Sequence, residues 1–259
     1  MKKKMFMLIL LAVIVMIFAG CAQKEVSTEP LTNDEISDLY QNPNSYKGRI
    51  VNLSGKVFNI DENMVQIYAD PINRAKNTML DLSDAGGGQV SNDDFIQITG
   101  TVIGEFNGSN AFGASLKAPE IHVSEVKKSD YQTVVAPAQK TIEVNQTIDQ
   151  SGCILTLKKI EFADSETRCY LSATNNSSDK LSIYSYGSKI IQNGKQYEVE
   201  SNYDANYPSF SGDIMPSATV DAIIAFPKIE QKGFQLIVGA YNYDYSLNIS
   251  DYTFDVTIN

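Results

Sequence analysis

The chain has 259 residues, 21 Lys+Arg against 31 Asp+Glu, a formal net charge of −10 and a hydrophobic fraction of 43%. That length suits two ordinary domains, and the apolar content supports packed cores. The acidity is spread evenly, with 8 basic against 14 acidic residues in 31–130 and 9 against 15 in 131–259, which argues against nucleic acid as a ligand, because affinity for phosphate comes from cationic contacts.

Lys2, Lys3 and Lys4 precede an unbroken apolar run of 14 residues from Met5 to Phe18, within the roughly 7–15 of a secretory h-region. Ala19, Gly20 and Cys21 follow at once. The segment Ile17-Phe18-Ala19-Gly20-Cys21 resembles the lipobox of bacterial lipoproteins. That resemblance implies a diacylglycerol on the Cys21 thiol, removal of residues 1–20 as signal peptide, and a chain held on the outer face of the cell membrane. Two acyl chains hold a protein stably where one does so only marginally. An uncleaved anchor from Met5 to Ala22 is the competing reading, since a span needs about 20 apolar residues. Cleavage before Cys21 removes three lysines and no acid, leaving 18 basic against 31 acidic residues, a net charge of −13.

Residues 21–30 are polar and turn-rich, a tether between lipid and fold. Thr32 and Glu35 stand at capping-box spacing. Ile36, Leu39 and Tyr40 then form the apolar stripe of a short helix that Asn42-Pro43 ends. From Ile50 the period changes to two: Ile50–Val57 begins a long strand with a bulge or bend expected at Gly55. Met64–Tyr68, Thr78–Leu82, Phe95–Ile103 and Ile121–Val126 complete the set of strands. Tyr40, Asn42, Pro43, Tyr46, Lys47, Gly48, Arg49 and Leu53–Val57, with Ile98–Val102 later, resemble the tRNA-anticodon-type OB family. The resemblance implies an OB-like five-stranded barrel with a short N-terminal helix over residues 31–127. Barrels of this type bind oligonucleotides or oligosaccharides on one face. A single-strand groove needs clustered cations beside its stacking rings, and Tyr68, Phe95, Phe106 and Phe112 have none near them in sequence; core packing is the expected role for most of these rings.

Residues 128–139 read as a linker, with Ala136-Pro137 extended. Beyond it lie eight strand candidates, Ile142–Val144, Ile154–Phe162, Cys169–Thr174, Ser188–Gln192, Tyr197–Glu200, Thr219–Phe226, Phe234–Val238 and Tyr252–Ile258. Asn193-Gly194 between two of them supplies the paired positive φ of a type I′ hairpin. Regular short strands read as a β-sandwich. The order of a strand ending in Lys-Lys-Ile-Glu-Phe, one ending in Ala-Thr-Asn-Asn-Ser, and then Gln-Asn-Gly-Lys-Gln-Tyr is similar to an immunoglobulin-like domain common in secreted lipoproteins of Gram-positive bacteria, related to a mycobacterial secreted antigen fold. The likeness covers residues 140–259, and that family has no agreed activity. The fold class expected is therefore all-β, an OB-like barrel followed by an immunoglobulin-like β-sandwich.

With Cys21 assigned to lipid, Cys153 and Cys169 remain. In a direct hairpin some eight residues of offset separate them by roughly 26 Å, against the 7 Å or so that a disulfide tolerates; only a change of strand partner would bring them together. His122 is the only histidine, and it sits inside the apolar strand Ile121–Val123, so neither a catalytic triad nor a common zinc site is expected. Gly86-Gly87-Gly88 lacks the Lys-Ser/Thr ending of a phosphate loop and reads as a flexible connection. Asp61-Glu62, Asp81 with Asp84, and Asp93-Asp94 lie in turns without calcium-loop register. No catalytic residue, cofactor or metal ligand is assigned.

Tyrosine is the feature above background: 10 of the 14 lie from Tyr170 onward. They include Tyr184 with Tyr186, Tyr203 with Tyr207, and Tyr241, Tyr243 and Tyr245, whose alternate spacing puts them on one side of an extended segment. Among Asn, Asp and Ser, such rings suit contact with sugar or protein, although sandwich edges are often tyrosine-rich without a ligand. The function expected is a non-enzymatic, lipid-anchored cell-envelope protein that binds a protein or wall polymer, with no nucleic-acid partner. The alternative is a solute- or polysaccharide-binding lipoprotein that uses the OB face.

Overall fold

The computed structural model describes residues 28–85, 90–109, 115–242 and 247–258. Strand accounts for 59% of the chain and helix for 7%, so the class is all-β. Two units separate by their contacts, one of residues up to Asp93 with Gln97–Lys127, the other of Asp94–Ile96 with Lys128–Asn259.

In the first unit, helix α1 (Asn33–Leu39) starts at a complete capping box: Glu35 N donates to Thr32 Oγ1 at 3.3 Å and Thr32 N to Glu35 Oε2 at 2.8 Å. A 3₁₀ turn, Pro43–Tyr46, follows. Strands β1 (Ile50–Asp61), β2 (Met64–Asp70), β3 (Ala75–Asp81), β4 (Phe95–Ser109) and β5 (Ser115–Ser129) close a barrel in the order β1-β2-β3-β5-β4. Strands β3 and β5 run parallel, with Leu80 opposite Ile121. Val51, Leu53 and Val57 of β1 point inward with Asn52 exposed between the first two, the alternation that a strand half-buried on a core requires. Tyr40 Oη lies 2.9 Å from Thr78 Oγ1 and pins the end of α1 to β3; burial, partly offset by that bond, pushes its phenol up to about 12. Gly55 is not the bulge. The register slips between Val57 and Asn59, whereas Gly55 marks a close approach, since a Cβ there would stand 2.5 Å from the Tyr68 carbonyl oxygen. Of the four rings expected in the barrel, Phe95 is buried, Tyr68 stacks on Phe58 at 3.9 Å between centroids, Phe106 is half-buried, and Phe112 lies outside the described residues, as does the glycine triplet.

The second unit opens with α2 (Tyr131–Val134) and continues through β6 (Ala138–Gln150), β7 (Cys153–Ala163), β8 (Glu166–Asn175), β9 (Leu181–Gln192), β10 (Lys195–Glu198), β11 (Thr219–Pro227), β12 (Phe234–Asn242) and β13 (Tyr252–Val256). Residues 128–139 thus hold the end of β5, α2 and the start of β6, with Ala136 buried. Two four-stranded sheets, β10-β9-β12-β13 and β11-β8-β7-β6, enclose one core that includes Leu155, Leu171, Ile190, Phe226, Leu236 and Phe254. Asn193 and Gly194 turn the β9–β10 hairpin at φ 51° and 75°. Cys153 pairs across the β7–β8 ladder with Asn175 and Cys169 with Ile160. Both thiols are free and buried, and burial pushes the Cys169 thiol up, away from the reactive thiolate.

A charged cluster lies inside this unit. Arg168 is 1% exposed and stands directly opposite Glu161 in the β7–β8 ladder. Its Nε and Nη2 donate to Glu161 Oε2 at 3.1 and 2.9 Å, and its Nη1 to Glu166 Oε1 and the Ala136 carbonyl oxygen, both at 2.8 Å. Tyr170 Oη and Lys159 Nζ complete the shell of Glu161 at 2.7 and 2.5 Å. Burial alone would lower the guanidinium pKa, but Glu166 and Glu161 outweigh it and hold the charge firmly. Burial alone would raise the Glu161 carboxyl, and its bonds to Lys159, Tyr170 and Arg168 keep it below its ordinary value. Removing one partner of such a cluster strands the others in low dielectric, at a cost of about 3–5 kcal/mol. Arg168→Met is therefore expected to destabilise the second unit by that amount in urea unfolding followed by far-UV circular dichroism. A loss below about 1 kcal/mol, the value of an exposed pair, would contradict the assignment.

Candidate binding cleft

The ladder between β9 and β12 breaks in one place. Ile237 pairs with Lys189 and Gly239 with Tyr184, so residues 185–188 of β9 stand opposite Val238 alone. This excursion projects Tyr186, which is 70% exposed. Tyr184 folds back over Gly187, where an added Cβ would come 2.4 Å from the ring. The excursion also leaves the buried Ser188 hydroxyl without a partner, a cost of about 1–3 kcal/mol. After β10 the chain leaves its sheet and crosses to β11, the edge strand of the other sheet, fastened by Glu200 N to the Ala225 carbonyl at 2.9 Å and Ile223 N to the Pro208 carbonyl at 2.8 Å. Between the excursion and this connection lies a cleft of about 220 Å³, walled by Ser185, Tyr186, Asn202, Tyr203, Asn206 and Tyr207 over a floor of Ile223–Ala225.

The buried charges reach this cleft. Tyr207 Oη donates to Glu166 Oε1, the oxygen that also receives Arg168. Asn202 Nδ2 donates to Glu166 Oε2 at 3.3 Å, while its Oδ1 accepts from Ala205 N at 3.2 Å and closes the turn there. Burial first, and then the Glu166 carboxylate, push the Tyr207 phenol up, so it stays a donor. Tyr131 meets the Tyr207 ring edge-on at 6.2 Å. One wall is thus fixed from beneath, whereas Tyr203 stands 89% exposed above it. The lining holds one carboxylate, Glu200, and no Lys, Arg or His. Hydroxyls, amides and ring faces suit an uncharged ligand with both hydrogen-bonding and apolar surface.

Of the tyrosines singled out from spacing, Tyr241 lies on β12, 44% exposed, opposite Ser182. Tyr184 is opposite Gly239 in the same ladder and so shares that sheet face diagonally with Tyr241. Tyr243 and Tyr245 lie outside the described residues, and so does Cys21. Tyr186 and Tyr203 belong to the tyrosine surplus visible in the sequence, but their meeting at one cleft needs the β9 excursion and the crossing from β10 to β11, which no local pattern announces.

The barrel carries two further features. A polar cavity of about 340 Å³ is lined by residues that include Asn52, Ser54, Gln97, Thr99, Glu125 and Lys127. At the β3–β5 pairing, His122 bridges two carboxylates, Nδ1 to Asp81 Oδ2 and Nε2 to Asp84 Oδ2, each at 3.0 Å. His122 lies 41 residues from Asp81 and 38 from Asp84 in sequence; the parallel pairing of Asp81 with His122 brings them together. No group of three or more side chains suited to holding a metal occurs among the described residues.

No protein-family model matches the chain, and no curated protein matches it. Among solved structures, the yjhA protein of Bacillus subtilis is similar over 45% of this chain and 98% of its own, at 14% identity and a TM-score of 0.35. A proposed lipoprotein of B. subtilis (ycdA) is similar over 44% of this chain and 39% of its own, at 14% identity and a TM-score of 0.36. A functionally unknown protein of Listeria monocytogenes is similar over 48% and 88%, at 12% identity and a TM-score of 0.35.

A neutral imidazole has one donor and one acceptor nitrogen, whereas an ionised carboxylate only accepts, so the imidazolium alone satisfies both neighbours of His122. The bond to Asp81 chiefly, with Asp84 assisting against desolvation, raises the His122 pKa above 6.5. A raised folded-state pKa contributes stability that is complete below the unfolded value of about 6.5 and is lost as pH rises through the folded one. NMR titration of the His122 ring is expected to give a midpoint above 6.5 that falls in Asp81→Asn. A wild-type midpoint at or below 6.5 would contradict the bridge.

Proposed function

We propose that the chain is a lipid-anchored protein of the outer cell envelope, without enzymatic activity, which binds an envelope protein or wall polymer through the tyrosine surface of its second unit. The observation that carries this reading is the exposure of Tyr186 and Tyr203, which line one cleft. An aromatic side chain offers 150–250 Å² for burial, and two of them face solvent beside hydroxyls and amides. The anchor rests on the leader and Cys21. The strand order β1-β2-β3-β5-β4, with β3 parallel to β5, supports an OB-type barrel, and the paired four-stranded sheets support an immunoglobulin-like sandwich. Side-chain chemistry supports a binding role over catalysis: the one imidazole is held between carboxylates, and both described thiols are buried. Nucleic acid fits poorly, because Arg49, Lys56, Lys117 and Lys127 of the barrel already face carboxylates.

The test has two arms. Wild-type chain is expected in the membrane fraction with an acyl mass on its Cys21 peptide, and Cys21→Ala without it; an unmodified Cys21 in wild-type membranes overturns the anchor. The chain produced without residues 1–21 is expected to sediment with isolated envelopes of the producing cell, and its Tyr186→Ala/Tyr203→Ala form to lose at least tenfold of that retention, about 1.4 kcal/mol. Equal retention of the two chains overturns the binding surface.

A further inference from the structure

We propose that the cleft lined by Tyr186 and Tyr203 is a saccharide site, taking an uncharged pyranose unit of a glycan chain. The inference rests on the binding role proposed above and names the ligand class. Size comes first. At about 220 Å³ the cleft falls below the roughly 300–1,000 Å³ of sites for drug-sized molecules, and it suits a ring-sized unit of a longer chain that continues into solvent on either side.

Chemistry comes second. A pyranose presents hydroxyls around its rim and polarised C–H bonds on its faces. The π-face of tyrosine is electron-rich and attracts such positive edges, and Tyr186 and Tyr203 are the exposed rings that border the cleft. Both lie free of the Glu166 network that holds Tyr207 and Asn202. Those two residues shape the wall, and the exposed side chains of Ser201, Asn206 and Ser209 are left to exchange hydrogen bonds with hydroxyl groups. Hydroxyls and amides both donate and accept, as sugar hydroxyls do.

Charge comes third. A phosphate-bearing or carboxylated polymer needs Arg or Lys, and the lining has neither, while Glu200 at the rim repels anions.

The probes are the tetramer of N-acetylglucosamine and maltotetraose, titrated into the chain produced without residues 1–21 and followed by NMR. At least one is expected to shift resonances of residues 185–209 with a Kd on the order of 1 mM that added salt leaves unchanged. Tyr186→Ala and Tyr203→Ala are each expected to weaken binding at least tenfold, and Tyr203→Phe to preserve it. Both rings are exposed, so the variants fold. No shift with either sugar at ten times that concentration, or binding indifferent to both alanine variants, overturns the proposal. If the chain sediments with envelopes in a tyrosine-dependent way yet binds neither sugar, the saccharide assignment fails while the envelope-binding role stands.

Discussion

The second unit is organised by a guanidinium with no access to water. Arg168 is too polar to be buried alone, and the free energy of an unpaired buried charge is far larger than a domain's net stability. Everything within reach therefore converges on it: Glu161 across the hairpin, Glu166 two residues earlier, and the carbonyl of Ala136 in the segment that enters the sandwich. The apolar core between the sheets supplies the driving force for folding, and this cluster dictates which side chains may neighbour it.

The consequence for function runs through Glu166. One of its oxygens serves Arg168 and Tyr207, and the other serves Asn202. A carboxylate needed to neutralise the core thereby fixes the loop that walls the cleft. The opposite wall comes from a different device, the four-residue excursion of β9 that carries Tyr186. The cleft is thus assembled from two irregularities of a regular sandwich, one fastened by charge and the other tolerated despite an unpaired Ser188 hydroxyl.

What the sequence discloses is local. Thr32 with Glu35 gave the start of α1, Asn193-Gly194 gave the hairpin, and period-two alternation gave the strands, because each depends on neighbours within a few residues. The separation of Cys153 from Cys169 followed from a hairpin register that could be read from the turn between them. Gly55 was legible as special, but its reason was not: a bulge and a close approach leave the same glycine, and only the Tyr68 carbonyl opposite tells them apart. Gly187 under the Tyr184 ring is a local clue of the same kind. Contacts between distant segments stayed hidden. His122 meets Asp81 only through a parallel pairing, and Tyr186 and Tyr203 line one cleft only because the twenty-residue connection from β10 to β11 passes beside the β9 excursion. Segment 128–139 looked like a linker for the same reason, since its polar composition conceals that the Ala136 carbonyl caps a buried arginine.

The central claim is that the buried charges hold the cleft, and amide hydrogen exchange in Tyr207→Phe tests it directly. The variant removes the hydroxyl that ties the loop to Glu166 and leaves both the Arg168–Glu166 pair and the fastening bonds, which run from Ala205 N to Asn202 and from Glu200 N to Ala225. Exchange at Ala205 and Glu200 is predicted to accelerate at least tenfold, about 1.4 kcal/mol of local opening, with Leu155 and Leu236 in the core changing far less. Unchanged protection at Ala205 and Glu200 would show that the loop holds its own shape and would contradict the account.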